Sequence, residues 1–255
     1  MTDKTDAFSM GGATAMVIGG SSGIGRAIAL GMRAARARVL IAARGRERLD
    51  AVAAELGADA TVAYCADLRA PDTARTLAER AEREHGPIDV LVNCQGTTTI
   101  KPALEVDEAE YDTVMDTNVK AVFFACTAFG ARMTARGSGA IVNIASLAAH
   151  SGWSQAAAYC ASKWAVTGLT QTLAAEWGGR GVRVNAIAPG FFLTDLNRDK
   201  MPPERKAEAI RRCAMGRMGD VSELVGAAVF LASPAARFVN GATLRVDGGY
   251  LASGI

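Results

Sequence analysis

Three side chains between positions 146 and 163 are of types that could move a proton to or from a substrate oxygen. Tyr159 and Lys163 are four residues apart, and the Ala- and Leu-rich run after them has apolar residues at helical spacing, which predicts a helix. In that helix the two side chains would lie on the same face, about one turn apart. A phenol has an ordinary pKa of about 10, and a neighbouring ammonium lowers this pKa because it favours the phenolate. Ser146 follows an apolar run that predicts a buried strand, so its hydroxyl is expected at the strand end, free to bond a substrate oxygen. The alternative is structural: a capping serine, a half-buried tyrosine and a solvated lysine.

A glycine-rich turn near the start of the chain predicts a site for the phosphates of a dinucleotide. An apolar run over 13–18 is followed by G-G-S-S-G-I-G (19–25) and then by a helical stretch, which is the order strand, turn, helix. Small residues let the backbone approach a pyrophosphate, and the helix N-terminus offers free N–H groups and the positive end of its dipole. The spacing differs from the common dinucleotide fingerprint, so the turn alone could equally be tight packing, but its context favours a cofactor. The predicted phosphate-binding residues are Gly19, Ser21, Ser22, Gly23, Ile24 and Gly25.

The residues after the next two strands indicate which dinucleotide is bound. In NAD-selective folds an acidic residue about 20 residues past the glycine turn holds the ribose hydroxyls. Here the run 38–43 ends at Ala43 and is followed by Arg44, with two more arginines close behind. A guanidinium can bind the 2′-phosphate that a carboxylate would repel, so the sequence favours NADP over NAD, the alternative being a solvated basic loop. Asp67, which with Leu68 ends the third strand, could accept from the adenine amino group or be a turn residue.

The order of the elements brings these residues to one edge of a sheet. Strands and helices alternate about every 20 to 25 residues, which predicts an α/β fold with a doubly wound parallel β-sheet flanked by helices on both faces. Ligands in such sheets bind beyond the carboxyl ends of the strands. The glycine turn, Asp67, Asn93 and Ser146 all follow predicted strands, so we expect them to share one site. With 255 residues, half of them hydrophobic, the chain fits a single domain over 13–255 preceded by a mobile tail over 1–12.

Composition and charge argue against several classes of function. The net charge is +2 and 21% of the residues are charged, so no basic field indicates nucleic-acid binding. No apolar run approaches the roughly 20 residues that span a bilayer, and the N-terminus lacks the basic-then-apolar pattern of a secretory signal. The five cysteines are odd in number and form no CxxC pair, so we expect free thiols in a reducing, cytoplasmic compartment and no metal site.

Over essentially its full length the chain resembles the short-chain dehydrogenase/reductase family. The matching residues are G-G-S-S-G-I-G (19–25), Asp67, N-C-Q-G (93–96), Asn118, Ser146, Tyr159 with Lys163, and P-G (189–190). The resemblance implies a Rossmann-type fold and a homotetramer. The chain departs from the family at Ile18, where a threonine is usual, and at Cys94 and Gln95, where the family has N-N-A-G. These departures leave the detail of packing around the nicotinamide open.

The resemblance also implies a role for each member of a catalytic tetrad. Tyr159 would be the general acid/base at the substrate oxygen, and Ser146 would orient that oxygen. Lys163 would bind the nicotinamide ribose and lower the pKa of the phenol. Asn118, inside a predicted helix over 111–133, would hold a water that relays protons to Lys163. Further cofactor contacts implied by the resemblance are Asn93, Gly96, Tyr159, Lys163, Pro189, Gly190, Phe192 and Thr194.

The substrate is expected under a lid over about 191–217. Between 195 and 217 there are seven Lys or Arg and four Asp or Glu, a surplus that favours an anionic or polyhydroxylated substrate. For any single one of these charges, a solvated helix face is the better interpretation. Within the family, N-C-Q-G, the start of the lid and the run 217–233 most resemble the gluconate dehydrogenase branch. The leading hypothesis is an NADP-dependent oxidoreductase that interconverts a ketone and a secondary alcohol, with a sugar-acid or polyol substrate. The alternatives are a 3-oxoacyl thioester reductase and a catalytically silent dinucleotide-binding regulator.

Overall fold

One sheet of seven parallel strands forms the centre of the computed structural model, which describes residues 7–57, 61–194 and 201–253. The strands are β1 (Thr14–Ile18), β2 (Arg38–Ala43), β3 (Thr61–Cys65), β4 (Val90–Asn93), β5 (Gly139–Ile144), β6 (Val182–Pro189), β7 (Phe192–Leu193), β8 (Gly219–Asp220) and β9 (Thr243–Val246). The helices are α1 (Gly23–Ala34), α2 (Arg46–Leu56), α3 (Pro71–His85), α4 (Glu108–Met115), α5 (Ala121–Arg136), α6 (Ala157–Trp177), α7 (Pro203–Arg212) and α8 (Val225–Ala232). The order β3-β2-β1-β4-β5-β6-β9, with β7 and β8 as a separate pair, confirms the predicted doubly wound fold.

The strands read as continuous apolar runs because both faces of the sheet are covered. Successive residues of a strand point to opposite faces. In β1, Ala15 and Val17 pack with α1, α2 and α8, whereas Met16 and Ile18 pack with α3, α5 and α6. Each strand residue is therefore buried against a helix on one side or the other, as in other parallel sheets.

The chain changes its direction across the sheet at β1. It runs outward from β1 to β3 and then returns to β4 on the other side of β1. The carboxyl ends of β1 and β4 consequently lie side by side, with Ile18 opposite Asn93. This is the crevice at which doubly wound sheets bind ligands, and the glycine turn and the N-C-Q-G run both begin there.

The predicted helix over 111–133 is present, but it contains a π-helical turn that the sequence did not predict. There α4 is followed by a π-helical turn over Asp116–Lys120 and only then by α5. Asn118 on this turn is fully buried, and its amide group is hydrogen-bonded to the main chain of Thr97 on the loop after β4. A tertiary contact therefore decides the local geometry, as is common where π-helical turns occur at functional sites.

Residues 7–12 do not form the predicted mobile tail. Met10 is buried, and its N–H donates to the main-chain carbonyl just after α1 at 2.9 Å. The carbonyl of Ala7 accepts from the N–H of Ala235, also at 2.9 Å. This stretch is anchored to the body of the protein, whereas the rest of the predicted tail lies outside the described residues.

The predicted lid contains β7, α7 and β8. β7 and β8 pair in parallel, with Phe192 opposite Gly219. Residues 195–200 of the predicted lid lie outside the described residues. Over the described ranges, no helix has both the length and the apolar character needed to cross a membrane.

Candidate active site

Ser146, Tyr159 and Lys163 meet at the carboxyl end of β5. Ser146 follows β5 and caps a short helical turn, its hydroxyl accepting from the N–H of Ala148 at 3.1 Å. Tyr159 lies in the first turn of α6, and Lys163 follows one turn later, so the predicted shared helix face is observed. The Lys163 ammonium lies 5.8 Å from the centroid of the Tyr159 ring and donates to the carbonyl of Ile144 at 2.9 Å.

Burial shifts the pKa values of both titratable groups. Lys163 is only 5% exposed, and this desolvation lowers the pKa of its ammonium from 10.5 to about 8. Desolvation raises the pKa of the Tyr159 phenol, and the neighbouring Ser146 hydroxyl only partly opposes this effect. The expectation that Lys163 would bring the phenol pKa below its ordinary value is therefore not met by the protein's own groups. The reason is that loss of water around the phenol outweighs the hydrogen bond with Ser146, and Lys163 is not among the groups that shift the phenol pKa.

Asn118 is turned inward and contacts two elements. Its Oδ1 accepts from the N–H of Thr97 at 2.8 Å, and its Nδ2 donates to the Thr97 carbonyl and the Ser162 hydroxyl, both at 2.9 Å. Both amide hydrogens are thus used, which leaves the side chain one acceptor lone pair for a water. A Cβ at Gly96 would lie 3.5 Å from both Asn118 Oδ1 and Lys163 Nζ, so these two atoms flank one glycine.

A crevice runs from the glycine turn to the ends of β2, β3 and β4. Of the predicted cofactor residues, Gly19, Ser21, Ser22, Arg44, Asp67, Leu68 and Gly96 line it. Arg48 lines it as well, whereas Arg46 pairs with Asp50 on the helix surface at 2.9 Å. Two arginines from the segment after β2 therefore line the crevice.

The crevice has the properties that a dinucleotide requires. A Cβ at Gly25 would lie 2.1 Å from the carbonyl oxygen of Gly19, and Gly19 has a φ of +80°, so both positions require glycine. α1 begins after Ser22, whose side chain makes no capping bond, and it has no acidic residue in its first turn, so its N–H groups suit an anion.

Both polar atoms of the Gln95 amide are buried without a partner in the described part of the chain. Lys163 uses one of its three N–H donors on Ile144. These residues fit a nicotinamide dinucleotide.

Asp67 is engaged by its own turn. Both of its carboxylate oxygens accept from the Arg69 side chain, at 2.6 to 3.0 Å, and Oδ1 also accepts from the Arg69 N–H at 3.1 Å. The guanidinium lowers the pKa of this carboxyl, which stays ionised. Asp67 is therefore a turn residue that also lines the crevice, and its hydrogen bond to the adenine amino group stays a prediction.

Two predicted cofactor residues direct their side chains elsewhere. The Asn93 amide donates to Asn143 Oδ1 at 2.9 Å and joins β4 to β5, and it does not line the crevice. The Phe192 ring is buried against Gly219, where a Cβ would lie 2.5 Å from it.

The remaining predicted cofactor residues lie at the two ends of the crevice. Thr194 is next to the glycine turn, because a Cβ at Gly23 would lie 3.7 Å from its methyl group. Ile24 packs against the core under α1. Pro189 ends β6, and Gly190 lines the cavity that contains Ser146 and Tyr159.

That cavity has a volume of about 750 Å³ and is open to α7. Trp153 and Phe191 line it as a stacked pair, with ring centroids 5.2 Å apart and planes at 13°. The Trp153 ring also lies 6.4 Å from the Tyr159 ring. The cavity therefore joins an aromatic wall to the candidate proton donor.

Comparison with known proteins identifies the family. A family model described as enoyl-(acyl carrier protein) reductase matches residues 18–251. Galactitol 2-dehydrogenase (L-tagatose-forming) from Cereibacter sphaeroides is 43% identical over 97% of this chain and 98% of its own. Gluconate 5-dehydrogenase from Gluconobacter oxydans is 40% identical over 97% of this chain and 98% of its own. The crystal structure of a gluconate 5-dehydrogenase from Burkholderia cenocepacia, in complex with NADP and tartrate, has a TM-score of 0.95 and 34% identity over 99% of this chain and 100% of its own.

This chain belongs to the short-chain dehydrogenase/reductase family. The resemblance stated from the motifs is confirmed, and the chain is an oxidoreductase of a family that acts on alcohols and ketones. Every predicted site residue falls within the matched residues 18–251. Within the described ranges, no three His, Cys, Asp or Glu side chains converge in a way that could hold a metal ion.

Sequence reasoning about this dehydrogenase/reductase missed several residues that line the site. Arg69 and Gln95 line the crevice, and Phe191 and Arg205 line the cavity. Gln95 carried a usable signal, because it is one of the two departures from N-N-A-G. The other three lie in loops or at a helix start, where spacing does not indicate which way a side chain points.

Proposed function

We propose that this protein is an NADP-dependent dehydrogenase/reductase that interconverts a ketone and a secondary alcohol in a sugar acid or polyol. The observation that carries the proposal is the cavity shared by Ser146 and Tyr159, with the buried Lys163 between it and the dinucleotide crevice. The substrate class is supported by the relatives, which are named for galactitol and gluconate. It is also supported by the tartrate bound to the Burkholderia cenocepacia protein, since tartrate is a polyhydroxy acid.

The chain's own residues supply binding and proton transfer. Hydride donation or acceptance is the chemistry that a bound nicotinamide provides. Tyr159 gives a proton to the carbonyl oxygen during reduction and takes it back during oxidation. Ser146 donates a hydrogen bond to the same oxygen and orients it. Lys163, with N–H donors to spare, holds the ribose hydroxyls, and Asn118 keeps the π-helical turn and the loop after β4 in place around it.

Preference for NADP is part of the proposal. Arg44 and Arg48 line the crevice at the end where the ribose of the adenosine half would lie, and the segment after β2 offers no carboxylate to it. A guanidinium forms charge-assisted, often bidentate, hydrogen bonds with a phosphate. Bound NADP in the Burkholderia cenocepacia structure supports the same choice. Gly19, Ser21, Ser22, Gly23 and Gly25 would hold the pyrophosphate.

Two alternatives remain as outcomes of the test. A 3-oxoacyl thioester reductase would use the same proton-transfer residues, and the description of the matching family model points to acyl substrates. The individual relatives are named for polyols and sugar acids, so the thioester reductase is the second hypothesis. A silent dinucleotide-binding regulator would need to have lost one of the four proton-transfer residues, and all four are present.

The decisive experiment follows NADPH absorbance with keto acids, neutral ketoses and 3-oxoacyl thioesters as substrates. We expect reduction of keto acids or ketoses, and higher activity with the thioester would favour the alternative. Tyr159→Phe is expected to lower kcat by about 10²- to 10⁴-fold, the usual contribution of general acid–base catalysis. Tyr111→Phe, on the exposed surface of α4, is the matched control. Turnover that survives Tyr159→Phe would refute the assignment of the proton donor.

We also propose a cytoplasmic homotetramer. Large apolar side chains are exposed on two consecutive helices, at Phe123 on α5 and Trp164 on α6. Exposed apolar side chains of this size support self-association. Sedimentation analysis tests it, and a monomer at micromolar concentration would contradict it.

A further inference from the structure

The cavity that holds Ser146 and Tyr159 has a charged side as well as an aromatic one. Its charged lining residues among those described are Glu204 and Arg205, both from the start of α7. Glu204 is exposed, whereas the Arg205 side chain is partly buried in the wall. Rotation of the Glu204 carboxylate into water costs little, so the guanidinium determines the charge that a ligand meets.

Arg205 differs from the other described arginines of the predicted lid in having no protein partner within the described ranges. Arg211 pairs with Glu208 at 2.7 Å, and Arg217 pairs with Glu223 at 2.6 Å. Arg212 lies over the Tyr250 ring, 4.8 Å from its centroid. Each of these cations has a structural contact that accounts for it, whereas Arg205, among the residues that the structure describes, contacts only the cavity.

We propose that Arg205 binds the carboxylate of a sugar-acid substrate and makes the cavity select keto acids over neutral ketoses. This inference rests on the proposed function, because it assumes that the ketone oxygen of the substrate is held by Ser146 and Tyr159. The guanidinium presents a planar fork of donors that matches a carboxylate, and such charge-assisted bonds are stronger than those of a neutral hydroxyl. A hydroxymethyl group at the same place would gain much less binding free energy from the guanidinium.

The chemistry of the cavity supports an acid more than a fully neutral polyol. The other polar lining groups, at Thr97, Thr98 and Gln155, are neutral and suit hydroxyls of the carbon chain. The stacked rings of Trp153 and Phe191 offer an apolar face for its C–H groups. A neutral substrate would leave the Arg205 guanidinium unpaired. A pocket rejects a substrate that leaves one of its polar groups unpaired, so Arg205 would make the cavity select the acid.

The test compares two substrates that differ in one group. One is 5-ketogluconate, and the other is the ketohexose that carries CH₂OH in place of its carboxylate. For Arg205→Gln we expect kcat/KM for the keto acid to fall by about 10- to 100-fold, mainly through KM, the range for loss of a hydrogen bond to a charged group. For the ketohexose we expect a change of less than about twofold. Arg205→Lys should restore part of the loss, since it keeps the charge without the planar fork.

Arg211→Gln is the control, because it removes the same charge from the exposed face of the same helix. It should leave kcat/KM unchanged for both substrates. Both variants should keep the unfolding temperature of the parent protein. An equal fall for both substrates with Arg205→Gln, or an unchanged ratio between them, would overturn the assignment of Arg205. A protein that reduces only the ketohexose would also overturn it while leaving the proposed oxidoreductase activity intact. Reduction of neither substrate would refute the proposed substrate class itself.

Discussion

Replacement of Lys163 by methionine should make the protein more stable at neutral pH. Burial lowers the pKa of this ammonium from 10.5 to about 8, which corresponds to about 3 kcal/mol of unfavourable free energy for the charged form in the folded state. Methionine has a similar length and no charge. It loses the hydrogen bond to the Ile144 carbonyl, a contribution of about 1 kcal/mol. We therefore expect Lys163→Met to raise the free energy of unfolding by about 2 kcal/mol at pH 7.

The stability difference between Lys163→Met and wild type should depend on pH. Below pH 8 both the folded and the unfolded chain carry the proton, so the full cost of the buried ammonium is present. Between pH 8 and 10.5 the unfolded chain holds more protons at this residue than the folded chain, and the stability of the wild-type protein rises with pH. The advantage of Lys163→Met over wild type should therefore fall by about 2–3 kcal/mol between pH 7 and pH 10.

Urea-induced unfolding at pH 7 and pH 10 measures both effects. The difference between variant and wild type removes the contribution of the other groups that titrate in this range. Lys120→Met is the control, because Lys120 is exposed and paired with Asp116 at 3.0 Å, and its replacement should change stability by less than about 0.5 kcal/mol. If Lys163→Met is less stable than wild type at pH 7 and the difference does not depend on pH, the buried-ammonium explanation is wrong.

Two further predictions concern the dinucleotide crevice. Arg44→Asp should reduce the preference for NADPH over NADH, measured as the ratio of kcat/KM values, by about 10- to 100-fold, whereas Arg46→Asp outside the crevice should leave the ratio unchanged. Gly25→Ala should abolish NADPH binding in a fluorescence titration and lower stability by a few kcal/mol, because its Cβ would lie 2.1 Å from the Gly19 carbonyl oxygen. Gly168→Ala, a helical position with open space around it, should instead be neutral or stabilising by up to about 1 kcal/mol.

The fold was predictable because local and global signals agree in this chain. The runs over 39–43 and 139–142 are apolar throughout, as strands covered on both faces must be, and the structure has β2 and β5 at those positions. The helix over 111–133 was predicted without its π-helical turn because its apolar pattern continues through Asn118. At this turn Asn118 contacts Thr97, 21 residues earlier in the chain, and helical periodicity contains no information on such a contact.

The site was predictable as a set of positions but not as a set of orientations. Parallel strands bring their carboxyl ends together, so the glycine turn and Ser146 were expected in one place. The same rule placed Asn93 there, yet its amide turns toward Asn143 inside the sheet. Arg205 was one of seven cations in a stretch where none stood out. Orientation depends on packing against residues distant in the chain, which motif spacing does not record.

The protein's own groups move the pKa values of the proton-transfer pair in opposite directions and reverse their usual order. Burial raises the pKa of the Tyr159 phenol and lowers that of the Lys163 ammonium to about 8. With rising pH the lysine therefore loses its proton before the tyrosine does, and the protein alone does not favour a phenolate beside an ammonium. Hydrogen bonds to the unused donors of Lys163 favour its charged form, and a positive nicotinamide ring nearby favours the phenolate. Both effects accompany ligand binding, so the residues identified from the sequence as a ready-made acid and base acquire that property only together with the ligands that they hold.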